Sequence, residues 1–241
     1  MYRKISTYIE EYLLSDSQRI LCIDGARQVG KTYIIRELAK KHFKNYIEIN
    51  MANDKTGDKL FENVRTIDAF YLKLSAYAGN KLGNNKNTIV FIDEIQEYPT
   101  LFTLLKPLKE DNKYKYICSG SEVGIALQST TLIPMGSITE KKMYPMDFEE
   151  FLLANSIGDS LIKYMKDCFN NRQSLEESIH NKIMYLFKLY LLIGGMPASV
   201  KEYVQSKNIV KVREIHDDTI KYYGDDATKY DFEHKLKIKK I

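Results

Sequence analysis

A glycine-rich segment that ends in lysine and threonine is the clearest chemical pattern in this sequence. Residues 25–32 read G-A-R-Q-V-G-K-T and match the spacing G-x-x-x-x-G-K-[ST]. Glycine lets the backbone turn successive N–H groups toward an anion, and a following helix adds its unpaired N-terminal amides. Lys31 can reach phosphate oxygens, and the Thr32 hydroxyl can bind Mg²⁺. The pattern predicts a nucleotide-binding loop with these members: Gly25, Ala26, Arg27, Gln28, Val29, Gly30, Lys31 and Thr32.

Two acidic residues end an apolar run at residues 88–94, which read T-I-V-F-I-D-E. Asp93 is suited to hold the hydrated shell of Mg²⁺, and Glu94 to orient or deprotonate an attacking water. Taken alone the run is a weak signal, because many strands lead into polar loops. After a phosphate-binding loop it predicts a metal-binding Asp93 and a catalytic Glu94. A kinase has less need of an acid at position 94, so the pair favours hydrolysis.

A third apolar run ends in small polar residues, at Ser119 and Ser121. In a parallel sheet this end of the strand lies at the carboxyl edge, where ligands bind. Either hydroxyl could contact the γ-phosphate or position a water, and we take both as candidate catalytic residues. The alternative, that these hydroxyls only complete an ordinary turn, is equally compatible with the residues.

Short apolar runs alternate with helical patterns around these motifs. This alternation predicts βαβ crossovers and an α/β fold with a parallel sheet. Pro99 is expected to open a helix, and Pro107 to end or kink it. The predicted strands are 19–24, 46–50, 89–92, 114–118 and 138–143, and the predicted helices of this region include 5–14, 32–42 and 61–77.

From Asp147 onward only helical patterns occur. Asp147 is followed three residues later by Glu150 and by an apolar run, which is typical of a helix start with a capping box. Another helix at 183–193 is expected to stop at Gly194. We therefore predict a P-loop core at residues 1–150, a helical unit at 151–228 and a separate segment at 229–241.

Composition and charge narrow the class of protein. The 241 residues are 44% hydrophobic, and the longest apolar run, 183–193, is shorter than the roughly 20 residues of a membrane span. The net charge is +4, of which the last thirteen residues contribute five lysines and two acids, or +3. That leaves +1 for residues 1–228, so the charge does not indicate a general nucleic-acid surface. Three widely spaced cysteines and no signal segment predict a cytoplasmic protein without a disulfide framework, in which Cys22 and Cys118 pack in the core.

Taken in order, five motifs resemble those of a known family. They are G-A-R-Q-V-G-K-T (25–32), F-I-D-E-I-Q (91–96), S-G-S (119–121), M-Y-P-M-D-F-E-E-F (143–151) and G-G-M-P (194–197). The chain resembles bacterial and archaeal AAA-type P-loop ATPases of unassigned role, which belong to the ASCE class. The first two motifs are shared by many ATPases, whereas the last two are far more specific to this group.

The resemblance implies a nucleotide-binding sheet followed by a helical lid at 151–228, with ATP and Mg²⁺ as ligands and Glu94 as the catalytic acid. Relatives continue into a winged-helix segment and a nuclease-like domain, so residues 229–241 would begin a truncated winged helix. Many relatives carry Gly-Arg before the last strand, where this chain has Gly136-Ser137. Without an arginine there, turnover should be slow, since such a residue contributes about 10³–10⁵ in rate. Other candidate arginines are Arg27, Arg65, Arg172 and Arg213.

Three functions remain open at this stage. The first is hydrolysis of ATP with Mg²⁺, which would drive or gate an interaction with an unidentified protein partner. The second is a nucleotide-gated switch with negligible turnover, and the third is a P-loop kinase. Self-association is compatible with all three, no membrane association is expected, and nucleic acid enters only by analogy with the relatives.

Overall fold

The computed structural model describes residues 1–83, 87–121, 123 and 136–230, and for 225–230 it describes the backbone alone. The chain divides into two compact units whose boundary lies between Tyr144 and Pro145. The first unit is Arg3–Tyr144, and the second begins at Pro145 and includes Met1–Tyr2. The segment predicted at 229–241 lies outside the described residues, apart from 229 and 230.

The first unit contains a five-stranded sheet in the order β2-β3-β4-β1-β5, with every neighbouring pair parallel. This confirms the predicted α/β fold with a parallel sheet. The strands are β1 (Ile20–Asp24), β2 (Asn45–Asn50), β3 (Thr88–Asp93), β4 (Lys115–Gly120) and β5 (Ile138–Lys142). The helices are α1 (Ile5–Leu14), α2 (Lys31–His42), α3 (Met51–Thr56), α4 (Ile67–Ala78) and α5 (Thr100–Asp111), with 3₁₀ turns at Gly79–Lys81 and Ile95–Glu97.

Burial follows the position of each strand in the sheet. The central strands β3 and β4 are buried almost throughout, as expected where helices cover both faces of a parallel sheet. The edge strand β5 is exposed over its last three residues, which are charged. Charged side chains on an edge strand disfavour pairing with further strands. The continuous apolar runs of β1, β3 and β4 therefore mark the centre of the core.

Helix α5 continues past Pro107 to Asp111, so the proline does not end the helix, which was one of the two predicted outcomes. Proline removes one amide donor from the helix and normally kinks or ends it. Here the apolar face of the helix packs into the main core on both sides of the proline, which offsets the lost hydrogen bond. The buried residues of that face are Leu101, Phe102, Leu104, Leu105 and Leu108.

The helix predicted at 61–77 is also shorter in the structure, since α4 begins at Ile67. The Asp54 carboxylate accepts the N–H groups of Leu60 and Phe61, each at 3.0 Å, and holds this stretch as a loop. Thr66 then caps the helix by accepting the Ala69 N–H at 3.2 Å. Hydrogen bonds to the Asp54 side chain thus replace the predicted helix start at Phe61, and α4 begins only at Ile67.

The second unit is helical, with α6 (Phe148–Ala154), α7 (Asp159–Asn170), α8 (Glu177–Ile193), α9 (Pro197–Ser206) and α10 (Ile209–Tyr230). The predicted capping box is present: Glu150 N–H donates to Asp147 Oδ1 at 2.9 Å, and Asp147 N–H donates to Glu150 Oε2 at 3.2 Å. Gly194 ends α8 with a φ of 73°. None of the helices in the described ranges is long and apolar enough to cross a membrane.

Cys22 and Cys118 form a disulfide in the structure, so the prediction of a protein without disulfides is wrong for this pair. The two residues are partners in the register of β1 and β4, and their Cα atoms are 4.6 Å apart. Both are fully buried in the core. Their separation in sequence concealed the contact, because only the strand order brings them side by side.

Candidate nucleotide-binding and catalytic site

The glycine-rich loop connects the carboxyl end of β1 to the start of α2. Gly30 is the N-cap of α2 with a φ of 97°, a left-handed conformation that glycine adopts without steric cost. Gly25 lies so close to the backbone leaving β5 that a Cβ there would overlap the Met143 carbonyl oxygen. Ala26 and Gln28 are exposed between them. The two glycines of the motif therefore serve a turn and a close backbone approach.

Lys31 lies at the start of α2 and is only 4% exposed. Its ammonium group donates to the carbonyl oxygens of Gly25 at 2.7 Å and Ala26 at 2.9 Å. Burial lowers the pKa of this group, while the charges of Glu94 and then Asp93 act against that shift. The ammonium is thus held inside the curve of the loop, near two carboxylates and the N-terminal amides of the helix.

Asp93, at the end of β3, is the centre of a hydrogen-bond network and is 1% exposed. Its Oδ2 accepts from the Thr32 hydroxyl at 2.9 Å and from Asn50 Nδ2 at 3.1 Å. Its Oδ1 accepts from the Ser119 hydroxyl and from the Glu94 N–H, the latter at 3.1 Å. Four donors from different parts of the fold therefore fix one carboxylate.

The sheet topology explains why these groups meet. Asn50 and Asp93 are register partners at the carboxyl ends of β2 and β3. Ser119 lies on β4, the next strand, immediately after the last β3–β4 partner pair. Thr32 lies in the first turn of α2, which follows β1. All four side chains thus lie at the carboxyl edge of a parallel sheet, where α/β proteins bind ligands.

The paired Thr32 and Asp93 side chains fit a magnesium ion chemically. Mg²⁺ prefers oxygen ligands, retains several waters, and is usually held by one or two carboxylates together with substrate phosphates. Burial raises the pKa of the Asp93 carboxyl, and hydrogen bonds from Ser119 and Thr32 act to lower it. A nearby cation would also favour the charged carboxylate. The Thr32 hydroxyl and the Asp93 carboxylate therefore have the oxygen chemistry that the predicted Mg²⁺ site needs.

Glu94 follows Asp93 in a left-handed backbone conformation, with φ 51° and ψ 45°. This conformation is uncommon for a residue other than glycine and is frequent at functional sites. Its side chain points to Gln96, whose Nε2 donates to Glu94 Oε2 at 2.6 Å. The tight turn after β3 thus separates the roles of two adjacent acids: Asp93 is buried in a network, and Glu94 is partly exposed.

The two candidate serines are both buried and make different contacts. Ser119 is fully buried and donates to Asp93. Ser121 accepts from Gln96 Nε2 at 3.3 Å. The structure thus brings both serines into the hydrogen-bonded group around Asp93 and Glu94. Their contact with a γ-phosphate or a water stays a prediction.

Three residues of this site were not identified from the sequence: Arg3, Asn50 and Gln96. Asn50 carried a weak signal, because it is the polar residue that ends a predicted strand. Gln96 lies within the F-I-D-E-I-Q motif, two residues after Glu94, but no chemistry was assigned to it. Arg3 carried no signal, since it lies in a helix-like N-terminal segment distant from the loop in sequence.

Arg3 is 7% exposed and forms a hydrogen bond with the end of the glycine-rich loop. Its Nη1 donates to the Val29 carbonyl at 2.7 Å, and its Nη2 to the Tyr144 carbonyl at 2.5 Å. The Val29 side chain is itself fully buried. The end of the loop is therefore fixed by an arginine fork and by a buried apolar side chain.

The structure also places the arginine candidates. Ser137, where many relatives were expected to have arginine, is 2% exposed, and its carbonyl accepts the Ile20 N–H at 2.9 Å. Arg27 lies in the loop and is half-buried, and the exposed candidates are Arg65, Arg172 and Arg213. A charge-stabilising role for any of them stays a prediction.

Comparison with known families and structures agrees with this geometry. A family model described as an AAA domain, AAA_14, matches residues 17–152, which is more than half of the chain. An uncharacterized protein of Methanocaldococcus jannaschii, MJ1544, is 26% identical over 135 residues. That match covers 56% of this chain but only 28% of the relative. The matched segment thus spans little more than a quarter of that protein's length.

A solved structure shares the fold. The Walker-type ATPase PABY2304 of Pyrococcus abyssi superposes with a TM-score of 0.57, over 97% of this chain and 77% of the other. The two sequences are 16% identical in this comparison, so the likeness concerns the fold alone. The fold that the two proteins share is the predicted α/β fold with a parallel sheet.

Proposed function

Because this chain belongs to an AAA domain family, which its residues 17–152 match, we propose that it binds ATP with Mg²⁺ and hydrolyses it to ADP and phosphate. The observation that carries the proposal is the 2.9 Å hydrogen bond between the Thr32 hydroxyl and Asp93 Oδ2. It brings the hydroxyl of a residue on α2 and the carboxylate of a residue on β3 together beside the glycine-rich loop. Glu94 follows directly and is free of the Asp93 network except through its N–H.

Each residue has a distinct task in the proposed reaction. The loop N–H groups and the Lys31 ammonium bind phosphate oxygens. Thr32 and Asp93 would hold Mg²⁺, which when bound supplies positive charge next to those oxygens. Glu94 orients the attacking water and accepts its proton as the bond between the γ-phosphorus and the β-bridging oxygen breaks. Ser119 keeps Asp93 in place, and Ser121 lies beside the Glu94 turn.

Phosphate release from the wild type and from Glu94→Gln tests the proposal. Glu94→Gln keeps the size of the side chain and removes the base, so the rate should fall about 10²-fold or more while nucleotide affinity is retained. Chelation of the metal with EDTA should abolish the wild-type rate. Equal, metal-independent rates in both proteins would show that this chain does not catalyse hydrolysis through Glu94.

A nucleotide-gated switch is the second candidate, and the serine at position 137 favours it. In place of the expected arginine the structure has a buried hydroxyl, so transition-state charge would be left to Lys31 and the metal. Turnover would then be slow in the isolated protein, and ATP binding itself would change partner affinity or self-association. Size measurement of apo, ADP-bound and ATP-bound Glu94→Gln protein distinguishes the switch from a hydrolysis-driven cycle. A P-loop kinase would instead transfer phosphate to an acceptor other than water.

The roles beyond the nucleotide site are proposals that rest on the family resemblance. We propose that the helical unit after Pro145 acts as a lid and that the nucleotide cycle gates a protein partner. The narrower group, whose members add a winged helix and a nuclease-like domain, is proposed on the M-Y-P-M-D-F-E-E-F and G-G-M-P motifs. A nucleic-acid partner, a homo-oligomer and a cytoplasmic location likewise stay predictions. DNA binding across a salt series would test the first of these.

A further inference from the structure

Gln96 occupies an unusual position beside the proposed catalytic acid. Its Nε2 donates to Glu94 Oε2 at 2.6 Å and to the Ser121 hydroxyl oxygen at 3.3 Å. Its Oε1 is buried and has no hydrogen-bond partner among the residues that the structure describes. A buried amide oxygen without a partner costs free energy, so this side chain is held in place against that cost.

The orientation of the Gln96 amide follows from its neighbours. A carboxylate only accepts hydrogen bonds, so the atom 2.6 Å from Glu94 Oε2 must be the nitrogen. The oxygen then lies against Gly120 of β4, where a Cβ would overlap Gln96 Oε1. Glycine at position 120 thus makes the space that the amide fills. The backbone of β4 on one side and the Glu94 carboxylate on the other thus fix the orientation of the Gln96 side-chain amide.

The backbone supports the same arrangement. Glu94 has the left-handed conformation described above, and residues 95–97 form a single 3₁₀ turn whose Glu97 N–H donates to the Glu94 carbonyl at 3.0 Å. Ile95, between the two side chains, is fully buried and anchors the turn in the core. The turn therefore folds Gln96 back over Glu94, at the cost of an uncommon backbone conformation.

We propose that Gln96 is the positioning residue of the catalytic carboxylate. Its amide holds Glu94 in one orientation and joins it to Ser121 at the end of β4, so that the base is fixed before water is activated. This inference rests on the proposed ATP hydrolysis. It goes beyond that proposal because it assigns Gln96 a task of its own, which is to hold the Glu94 carboxylate in place.

Kinetics of two substitutions with opposite side-chain chemistry test the assignment. Gln96→Met keeps the length of the side chain without the amide, and Gln96→Glu keeps its shape but replaces the donor with a second carboxylate. Both should lower kcat by about 10- to 100-fold, because a small misplacement of a catalytic group has effects of this size. The Kd for ATP should change by less than about twofold in both, since the hydrogen bonds of the Gln96 amide go to Glu94 and Ser121. If Gln96 only occupied space and its amide had no function, Gln96→Glu would retain the wild-type kcat. That result would overturn the proposal.

Glu97→Gln is the matched control. Glu97 lies on the same turn, and its carboxylate contacts Lys55 at 3.1 Å on the exposed side. This variant should keep the wild-type kcat and Kd. A fall in kcat in Glu97→Gln equal to that in Gln96→Met would mean that any change in the turn disturbs the site, and it would also overturn the proposal.

A measurement without turnover separates this inference from the proposed function. The side-chain amide of Gln96 gives ¹⁵N–¹H signals that are assigned by their loss in Gln96→Met. Hydrogen bonding to a carboxylate should shift one of these protons downfield in the nucleotide-free protein, and Glu94→Ala should reverse that shift. If the wild type neither binds nor hydrolyses ATP, the proposed function fails. The hydrogen bond between Gln96 and Glu94 can still be measured by NMR in that case, because the measurement needs no nucleotide. A Gln96 amide chemical shift that is the same in the wild type and in Glu94→Ala would contradict the positioning role, whatever the rate of hydrolysis.

Discussion

The Thr32 hydroxyl donates a 2.9 Å hydrogen bond to Asp93 Oδ2, although the two residues lie on different elements. Thr32 is in the first turn of α2 and Asp93 is the last residue of β3. The contact joins the start of α2, which follows the glycine-rich loop, to the strand that precedes the proposed catalytic acid. Both atoms are oxygens suited to Mg²⁺, so the bond marks where the proposed metal would be bound.

Removal of the Thr32 hydroxyl should weaken nucleotide binding only when magnesium is present. Thr32→Val keeps the shape of the side chain, and loss of a contact to a charged partner, about 1.5 kcal/mol, should raise the Kd for Mg·ATP about tenfold. Thr32→Ser keeps the hydroxyl and is the matched control. Calorimetric titration with Mg²⁺ and with EDTA checks this. Equal affinities of the Val and Ser variants for Mg·ATP would remove Thr32 from the metal site.

Asn50→Ala should lower the free energy of unfolding by about 2 kcal/mol, because this side chain has two functions. Its Oδ1 caps α3 by accepting the Asn53 N–H at 2.9 Å, and its Nδ2 donates to Asp93. Thr66→Ala removes only a cap, that of α4, and should cost about 1 kcal/mol. Urea unfolding of both variants gives the comparison. Equal losses would show that the contact with Asp93 adds no stability.

Arg3→Met should destabilise the first unit and loosen the phosphate-binding loop. One buried and one partly buried hydrogen bond from a guanidinium are lost, and the carbonyls of Val29 and Tyr144 lose these donors, so we expect a loss of about 2–4 kcal/mol. Arg3→Lys keeps the charge but has no fork to bridge two carbonyls, and should lie between the wild type and Arg3→Met. Urea unfolding together with ATP titration measures both effects. Wild-type stability of Arg3→Met would contradict the role assigned to the fork.

The ion pair of Arg36 with Glu48 should make stability depend on pH in the acid range. Arg36 donates to both Glu48 oxygens, at 2.7 and 2.5 Å, and its charge-assisted bonds lower the pKa of the Glu48 carboxyl below 4.5. Stability from a lowered carboxyl pKa is present above the unfolded value and is lost as the pH falls through the folded one. Since the Arg36 side chain is 41% exposed, Glu48→Gln should cost only about 1 kcal/mol at pH 7.

The pH dependence supplies the test of that pair. The difference between wild type and Glu48→Gln should shrink as the pH falls below 4.5 and vanish once Glu48 is protonated. Glu110→Gln is the control, because the Lys106–Glu110 pair is exposed and 4.0 Å long. It should leave stability unchanged at every pH. A difference for Glu48→Gln that stays constant from pH 7 to pH 3 would exclude the ion pair as its cause.

The local motifs indicated the residues of the candidate site, and the functional role of these residues stays a prediction. Residues 25–32 form one loop that leads into α2, and the Thr32 side chain contacts Asp93. The loop could be located from the sequence because its glycines, its lysine and the helix start are adjacent residues. The parallel sheet was predictable for a similar reason, since buried strands are continuous apolar runs.

The bounds of two helices depart from the local pattern where contacts outside that pattern decide the outcome. Pro107 does not end α5, whose apolar face is packed on both sides of it, and α4 begins only at Ile67, after a stretch in which the Asp54 carboxylate accepts the N–H groups of Leu60 and Phe61. In both cases the local pattern was real and tertiary contacts outweighed it. The Cys22–Cys118 pair was missed for the same reason, because strand register is invisible in the linear sequence.

The amino-acid sequence alone therefore determined the α/β fold with a parallel sheet, the phosphate-binding loop and the two acids after β3, since each is written in neighbouring residues. Only the tertiary structure decided which polar groups surround those acids. Asn50 reaches Asp93 through the register of β2 with β3, and Arg3 reaches Val29 from the N-terminal segment before α1. The Gln96 amide that contacts Glu94 lies against Gly120 of β4, where a Cβ would overlap its Oε1. Each of these contacts depends on how strands and turns are brought together in space, and residue spacing carries no record of that.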